Sequence, residues 1–203
     1  GSLQWLRNML YPEQVRKAAD PGGLYAGMIE EAETVPPGAE NLFFLPYLTG
    51  ERCPHPDTCA RGAYVGLSPR HQRAHLIRAT LEGITFGLKE QVQIFRELGL
   101  PLNQIRAAGG GARSAFWRQL QADMFKAQVV TINVSEGGAL GAALLAAVGV
   151  GDYKNVPEAC QRVIKVRTQY RARAQRAAFY HRQFGKYQAL YPALKDEFRS
   201  LAT

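Results

Sequence analysis

The sequence predicts an α/β fold, and three observations carry that reading. In its second half, short apolar runs of strand length alternate with stretches whose apolar residues recur at helical spacing, the order expected of a sheet layered with helices. Glycine and proline clusters punctuate the changes. The chain, at 203 residues with 46% hydrophobic and 21% charged residues, has ordinary globular composition and can bury about 70% of its unfolded surface in one core without staples. A single domain over residues 1–203 is the simplest division.

Residues 1–32 read as helical. "LQWLRNML" comes first, Pro12 opens "EQVRKAAD", Pro21-Gly22-Gly23 turns the chain, and "LYAGMIEEAET" follows. "VPPGAE" at 35–40 is a loop by its prolines and glycine. "NLFFLPYLTG" is a short apolar strand that Pro46 must end or leave at an edge. The segment 49–69 is irregular, and too polar and proline-rich for the core. The longest helix spans 70–99, with Leu76, Ile77, Leu81, Ile84, Leu88, Val92 and Phe95 at helical spacing, and Gly99 with Pro101 stops it. Strand 104–108, a glycine turn, helix 115–126, strand 128–133 and helix 136–148 complete the alternation.

"ALGAALLAAVGVG" at 139–151 is the longest apolar run, short of the ~18 residues of a membrane span. It reads as a buried helix, and no membrane partner is expected. No charged n-region or cleavage site suggests secretion. Cys53, Cys59 and Cys160 lack framework spacing, which favours a reducing cytoplasm. There is no initiator methionine, so either Gly1-Ser2 is a cloning scar or the chain begins inside a larger protein.

The net charge of +8 is uneven. Residues 161–203 hold ten Lys or Arg and two acids, whereas the first 160 residues hold fifteen of each sign. A basic tail suits nucleic acid. Here, however, Tyr180, Phe184, Tyr187, Leu190, Tyr191, Leu194 and Phe198 fall mostly at steps of three and four. That spacing makes a terminal helix packed on the domain with arginines on its wet face, broken or kinked at Pro192. No nucleic-acid partner is expected.

"IRAAGGGARSAFW" at 105–117 is the most informative stretch. Glycine permits positive φ and close approach, and Ser114 is placed to cap a helix starting at Ala115. Free amides at such a helix start attract phosphates. The local pattern fits a nucleotide-binding element and a bare strand-to-helix turn alike. The dinucleotide fingerprint G-x-G-x-x-G fails, with Ser at 114 and Glu136 the first acid after "VVTINV". No P-loop is present.

At this point the residues carry a family resemblance. "GGGARSAFWRQLQADMF" resembles the second signature of the FGGY carbohydrate kinases, which fold like actin and hexokinase. "LFFLPYLTGERCPH", "RGAYVGLS", "LIRATLEGITFGL" and "EGGALGAALLAAVGVG" resemble further family segments in the same order, and the tail "YQALYPAL" resembles xylulokinases within it. The resemblance implies a ribonuclease H-like (actin/hexokinase-type) domain: a mixed sheet flanked by helices, with a C-terminal helix. It implies ATP with Mg²⁺ as cofactor. Gly110 and Gly111 would approach the nucleotide, Ser114 and Ala115 would sit near adenine, and Gln4 matches a glutamine that faces the nucleotide. Some relatives place an asparagine where this chain has Ser114 and Ala115, so any such contact is weakened or made by a hydroxyl. Arg113 stands beside the turn, and it and Arg118 are the cations free to reach a phosphate.

The resemblance also implies what is missing. The family's phosphate loops, sugar pocket and catalytic aspartate belong to a first domain, so no catalytic residue is expected here. The chain is expected to be the C-terminal, nucleotide-binding half of a sugar kinase, most like xylulokinase, that phosphorylates D-xylulose when whole. A kinase for another sugar or polyol is the alternative, and a Rossmann-type domain a more distant one. Alone, the chain is expected to bind nucleotide weakly and to have no kinase activity. It would meet sugar only together with the first domain, and a homodimer stays open.

Other residues give plainer readings. "CPHPDTC" gathers Cys53, His55, Asp57 and Cys59, but its C-x₅-C spacing with two prolines departs from zinc sites, so no metal centre is expected. Glu51-Arg52 either line a cleft or pair with neighbours. His71, His75 and His181 stand on helices without a nucleophile nearby. "GARSAF" lacks the G-x-S-x-G elbow of a hydrolase. Trp117, Leu120, Met124 and Phe125 are core candidates on the helix behind the glycines.

Overall fold

The computed structural model describes residues 1–17, 20–134 and 137–202. Three short helices come first: α1 (Ser2–Leu10), α2 (Pro12–Lys17) and α3 (Leu24–Glu33), the last entered through a 3₁₀ turn at Pro21–Gly23. The end of the expected second helix, at residues 18 and 19, lies outside the described residues. Strand β1 (Phe43–Leu45) stops at Pro46, as a residue without an N–H requires, and pairs antiparallel with β2 (Ala63–Val65). The segment 49–69 is therefore not all outside the core. It supplies β2 and the fully buried Ala60.

Helix α4 (Arg73–Glu97) is the central column. Gln72 and His75 form a reciprocal cap at its start, and Gly99 at φ +72° follows its end. Its packing departs from the expected single apolar face. Ile77 and Leu81 are buried, but Leu88 and Phe95 are exposed, while Arg78, Glu82, Lys89 and Glu90 are buried. Helices α1 and α3, strand β1 and helix α5 (Ala115–Phe125) all pack on α4, so its polar side chains also meet protein. Arg78 and Glu82 are tolerated there because they pair: Arg78 Nε donates to Glu82 Oε1 at 2.6 Å, and Tyr180 donates to the same oxygen at 2.8 Å.

The second sheet is mixed. Strand β3 (Gln104–Arg106) runs parallel to β4 (Gln128–Ile132), and β5 (Val166–Tyr170) lies antiparallel on the other side of β4. The sequence reading has neither β5 nor α7 (Val156–Val163). Helix α6 (Gly137–Gly149) follows β4, Glu136 lying outside the described residues. It is not the buried helix its composition suggests. Only Leu144 is buried and Leu145 is 62% exposed, because its main packing partner among the described elements is α7.

Helix α8 (Ala174–Leu201) continues through Pro192, so of the expected break or kink the break does not occur. The stripe Tyr180, Phe184, Tyr187, Tyr191 and Phe198 is buried, and packing on that stripe outweighs the hydrogen bond proline removes. The start of α8 is tied to α5: fully buried Asp123 accepts from the backbone N–H of Arg173 at 2.8 Å and from its guanidinium at 2.5 Å. Among the described residues no helix is long and apolar enough to cross a membrane.

Candidate nucleotide site

The turn after β3 is built residue by residue. Ala107 N–H still bonds across to Val130 at 2.8 Å, so the sheet fixes the chain up to that point. Gly109 then takes φ +75°, ψ −166°, a region open only to glycine. Residues Gly110–Arg113 form one 3₁₀ turn. Ser114 caps α5, its hydroxyl accepting from Trp117 N–H at 3.1 Å. The amides of Ala115 and Phe116, in the first turn of α5, have no intrahelical acceptor by position.

The three glycines have different reasons. Gly109 is required by its dihedrals. At Gly111 a Cβ would meet the Trp117 ring at 3.0 Å, and that ring is fixed because its Nε1 donates to Thr85 Oγ1 at 2.9 Å. At Gly110 a Cβ would find nothing within 4 Å, so its face is open.

That open face borders a cavity of about 750 Å³ between α1, the Pro21–Gly23 turn, α3 and the start of α5. Gln4, Gly110, Gly111, Arg113, Ser114 and Ala115 all line it. Six residues singled out from two sequence regions more than 100 positions apart thus share one space. Arg113 is exposed at its rim. Arg118 is not the free cation expected. Its Nη1 donates to the Ala112 carbonyl and its Nη2 to the Tyr170 hydroxyl at 3.0 Å. The far wall comes from α3, with Tyr25, Ile29, Glu30 and Glu33, which sequence reasoning missed. The Arg7 guanidinium stacks on Tyr25, 4.9 Å from the ring centre. Only the helix following "PGG" could have hinted at that wall, and nothing in its spacing tells which face meets the glycines.

The remaining candidates lie elsewhere. Glu51 bends back on its own loop, accepting from the N–H groups of Arg52 and Cys53 at 2.6 and 3.0 Å. His55 stacks on Tyr191 with ring centres 4.0 Å apart, while Asp57 accepts from Tyr191 and from Cys59 N–H. His55 and Asp57 thus both engage Tyr191 of α8. His71 and His75 accept from backbone N–H groups at the entrance to α4. Trp117, Leu120, Met124 and Phe125 are buried, as their spacing implied.

Residues 1–150 match the family described as the FGGY family of carbohydrate kinases, C-terminal domain. The chain belongs to that family. Over 195 residues the chain is 35% identical to the xylulose kinase of Bacillus subtilis (strain 168), a match covering 96% of this chain and 37% of that relative. Its structure superposes on ligand-bound xylulose kinase from Lactobacillus acidophilus with a TM-score of 0.86 and 32% identity, over 98% of this chain and 39% of that one. For gluconate kinase from Lactobacillus acidophilus the values are 0.84 and 33%, again over 98% and 39%. The chain therefore spans about two-fifths of the length of these relatives, and its fold is the α/β, actin- and hexokinase-like one that the resemblance implied.

Proposed function

We propose that the cavity bounded by the glycine turn binds ATP, and that this FGGY domain is the nucleotide-binding half of a sugar kinase. The observation that carries the reading is the convergence of Gln4, Gly110, Gly111, Arg113, Ser114 and Ala115 on one cavity. The residues fit the ligand: a glycine face open to backbone approach, amides at a helix start, Arg113 for a phosphate, and Tyr25 and Ile29 as an apolar wall for a base. Bound with Mg²⁺, ATP supplies the γ-phosphoryl group. The part of these side chains is to hold and orient the nucleotide, since phosphoryl transfer depends mainly on positioning and on charge around that group.

The whole-chain likeness to xylulose kinases favours D-xylulose as the acceptor in the complete enzyme, and the gluconate kinase likeness makes another sugar acid or polyol the second reading. The catalytic base and sugar pocket are assigned to the portion of such enzymes that this chain does not match. Three free cysteines, one of them exposed, suit a reducing cytoplasm.

A thermal-shift titration with Mg-ATP, Mg-ADP and NAD tests the nucleotide reading. A ligand at 100 times its dissociation constant adds ~2.7 kcal/mol, which raises Tm by roughly 5–11 °C for a domain of this size. A shift with ADP and ATP but not NAD is expected. A shift with NAD alone would overturn the assignment.

A further inference from the structure

The glycine turn is clamped from behind. Arg118, on the first turn of α5, donates through Nη1 to the Ala112 carbonyl inside the 3₁₀ turn and through Nη2 to the Tyr170 hydroxyl at 3.0 Å. Its guanidinium also lies over the Tyr170 ring, 4.9 Å from the centre. Tyr170 ends β5 and stands opposite Val129 of β4, which in turn stands opposite Ile105 of β3. The contacts therefore close a ring. From Ile105 the chain leads into the glycine turn, from the turn Arg118 reaches Tyr170, and from Tyr170 the sheet row returns to Ile105. A run of glycines has little stiffness of its own. Closing it against a sheet row through a planar, two-pronged donor supplies that stiffness.

Resting on the nucleotide reading, we infer that Arg118 and Tyr170 are positioning residues for the nucleotide turn. This makes β5, which lies beyond the residues 1–150 matched by the family, part of the nucleotide site. The strut holds Ala112 so that Gly110, Gly111 and the α5 amides present a preformed surface to the ligand, and affinity gains because the turn is ordered before binding. A role confined to stability fits the geometry less well. Arg118 Nε is buried without a hydrogen-bond partner among the described residues, an unfavourable feature that offsets part of what the two bonds contribute to the fold.

The test uses Tyr170→Phe, Arg118→Lys and Arg118→Met in this chain, with two readouts. The first is amide hydrogen exchange of residues 109–116 without nucleotide. The second is Mg-ADP affinity, with Tm recorded for each variant. Tyr170→Phe keeps the ring under the guanidinium and deletes one bond. Exchange across the turn is expected to quicken in all three variants. The ADP dissociation constant is expected to rise ~3- to 10-fold in Tyr170→Phe and further in Arg118→Met, with Arg118→Lys between them. Variants that lose Tm but keep turn exchange and affinity unchanged would show a merely structural pair and overturn the inference. If the unmodified chain binds no nucleotide, the nucleotide reading falls, and the exchange comparison alone decides whether the strut holds the turn.

Discussion

His55 Nε2 lies 3.8 Å from Oε1 of Glu90, a carboxylate in the core whose other oxygen has no hydrogen-bond partner among the described residues. The pair joins the 51–57 loop to α4 under a lid of aromatic rings. Tyr191 of α8 stacks on His55, and Tyr47 and Tyr187 bring their hydroxyls within 3.4 Å of each other nearby. Burial pushes the Glu90 carboxyl up to about 7, with the Glu51 charge adding to the rise. Burial pulls His55 below its ordinary value and Lys195 adds to that, while Glu51 and Asp57 oppose it. Near neutrality the His55 imidazole is neutral and the Glu90 carboxyl is in mid-titration beside it.

The two groups act oppositely on stability. Glu90 takes up protons more readily folded than unfolded, so its contribution is fully present below pH ~4.5 and is lost as pH rises through about 7. His55 binds protons less readily when folded, so its contribution is present above pH ~6.5 and is lost as pH falls below that. Glu90→Gln removes the first loss. Its unfolding free energy is expected to exceed that of the parent by ~2 kcal/mol at pH 8 and to match it near pH 5, measured by urea melts across that range. Equal pH slopes for both proteins would rule out a titrating Glu90.

Gly83 decides how closely β1 crosses α4. A Cβ there would stand 2.1 Å from the Phe44 carbonyl oxygen, a backbone atom that cannot step aside without moving the strand. Gly83→Ala is expected to destabilise the chain by ~3 kcal/mol or more, despite alanine's better helix propensity. Gly87, one turn on and with its nearest neighbours at 3.7 and 3.8 Å, is the control. Gly87→Ala should keep or raise Tm in a thermal melt, whereas Gly83→Ala should lower it by roughly 6–12 °C.

Arg78 ties three helices together. Besides its bond to Glu82, it donates to the Tyr180 hydroxyl at 2.8 Å and to the carbonyls of Ala32 and Val35 at 3.3 Å. Arg78→Met fills similar space but strands Glu82 in the core, and should cost ~3–5 kcal/mol. Arg78→Met with Glu82→Leu should recover much of that loss, because no uncompensated charge remains. Chemical denaturation of the single and double variants checks the recovery. A double variant no better than the single one would show that the helix bridges, rather than the buried charge, set the stability.

What the sequence revealed and what it hid follow from what each signal measures. Periodicity found α4 and α5, and Ser114 marked the start of α5, because caps and apolar stripes are local. Arg78 and Glu82 escaped notice because a buried ion pair looks, residue by residue, like a wet helix face. Strand β5 was missed because "VRTQY" carries the alternation of a strand amid the charge of a tail. The apolar run of α6 shows what favours burial, but not whether a neighbouring element covers it. At the candidate site, the family resemblance singled out the glycine turn and Gln4, which line one cavity. Tyr25, Glu30 and Glu33 were not singled out, since only the tertiary fold brings α3 opposite the turn.

The glycine turn yields the sharpest contrast. Gly110→Ala adds a methyl to an open face, so the empty protein should keep its Tm while, on the proposed nucleotide reading, Mg-ADP affinity falls ~10-fold or more. Gly111→Ala puts a methyl 3.0 Å from a Trp117 ring that Thr85 holds in place, so the fold itself must yield. It should cost ~1–2 kcal/mol in the empty protein, a Tm drop of roughly 2–8 °C. Paired thermal melts with and without Mg-ADP separate the two effects. If Gly110→Ala bound nucleotide as the parent does, the ligand would not approach that glycine, and the site would have to be drawn from α3 and Arg113 instead.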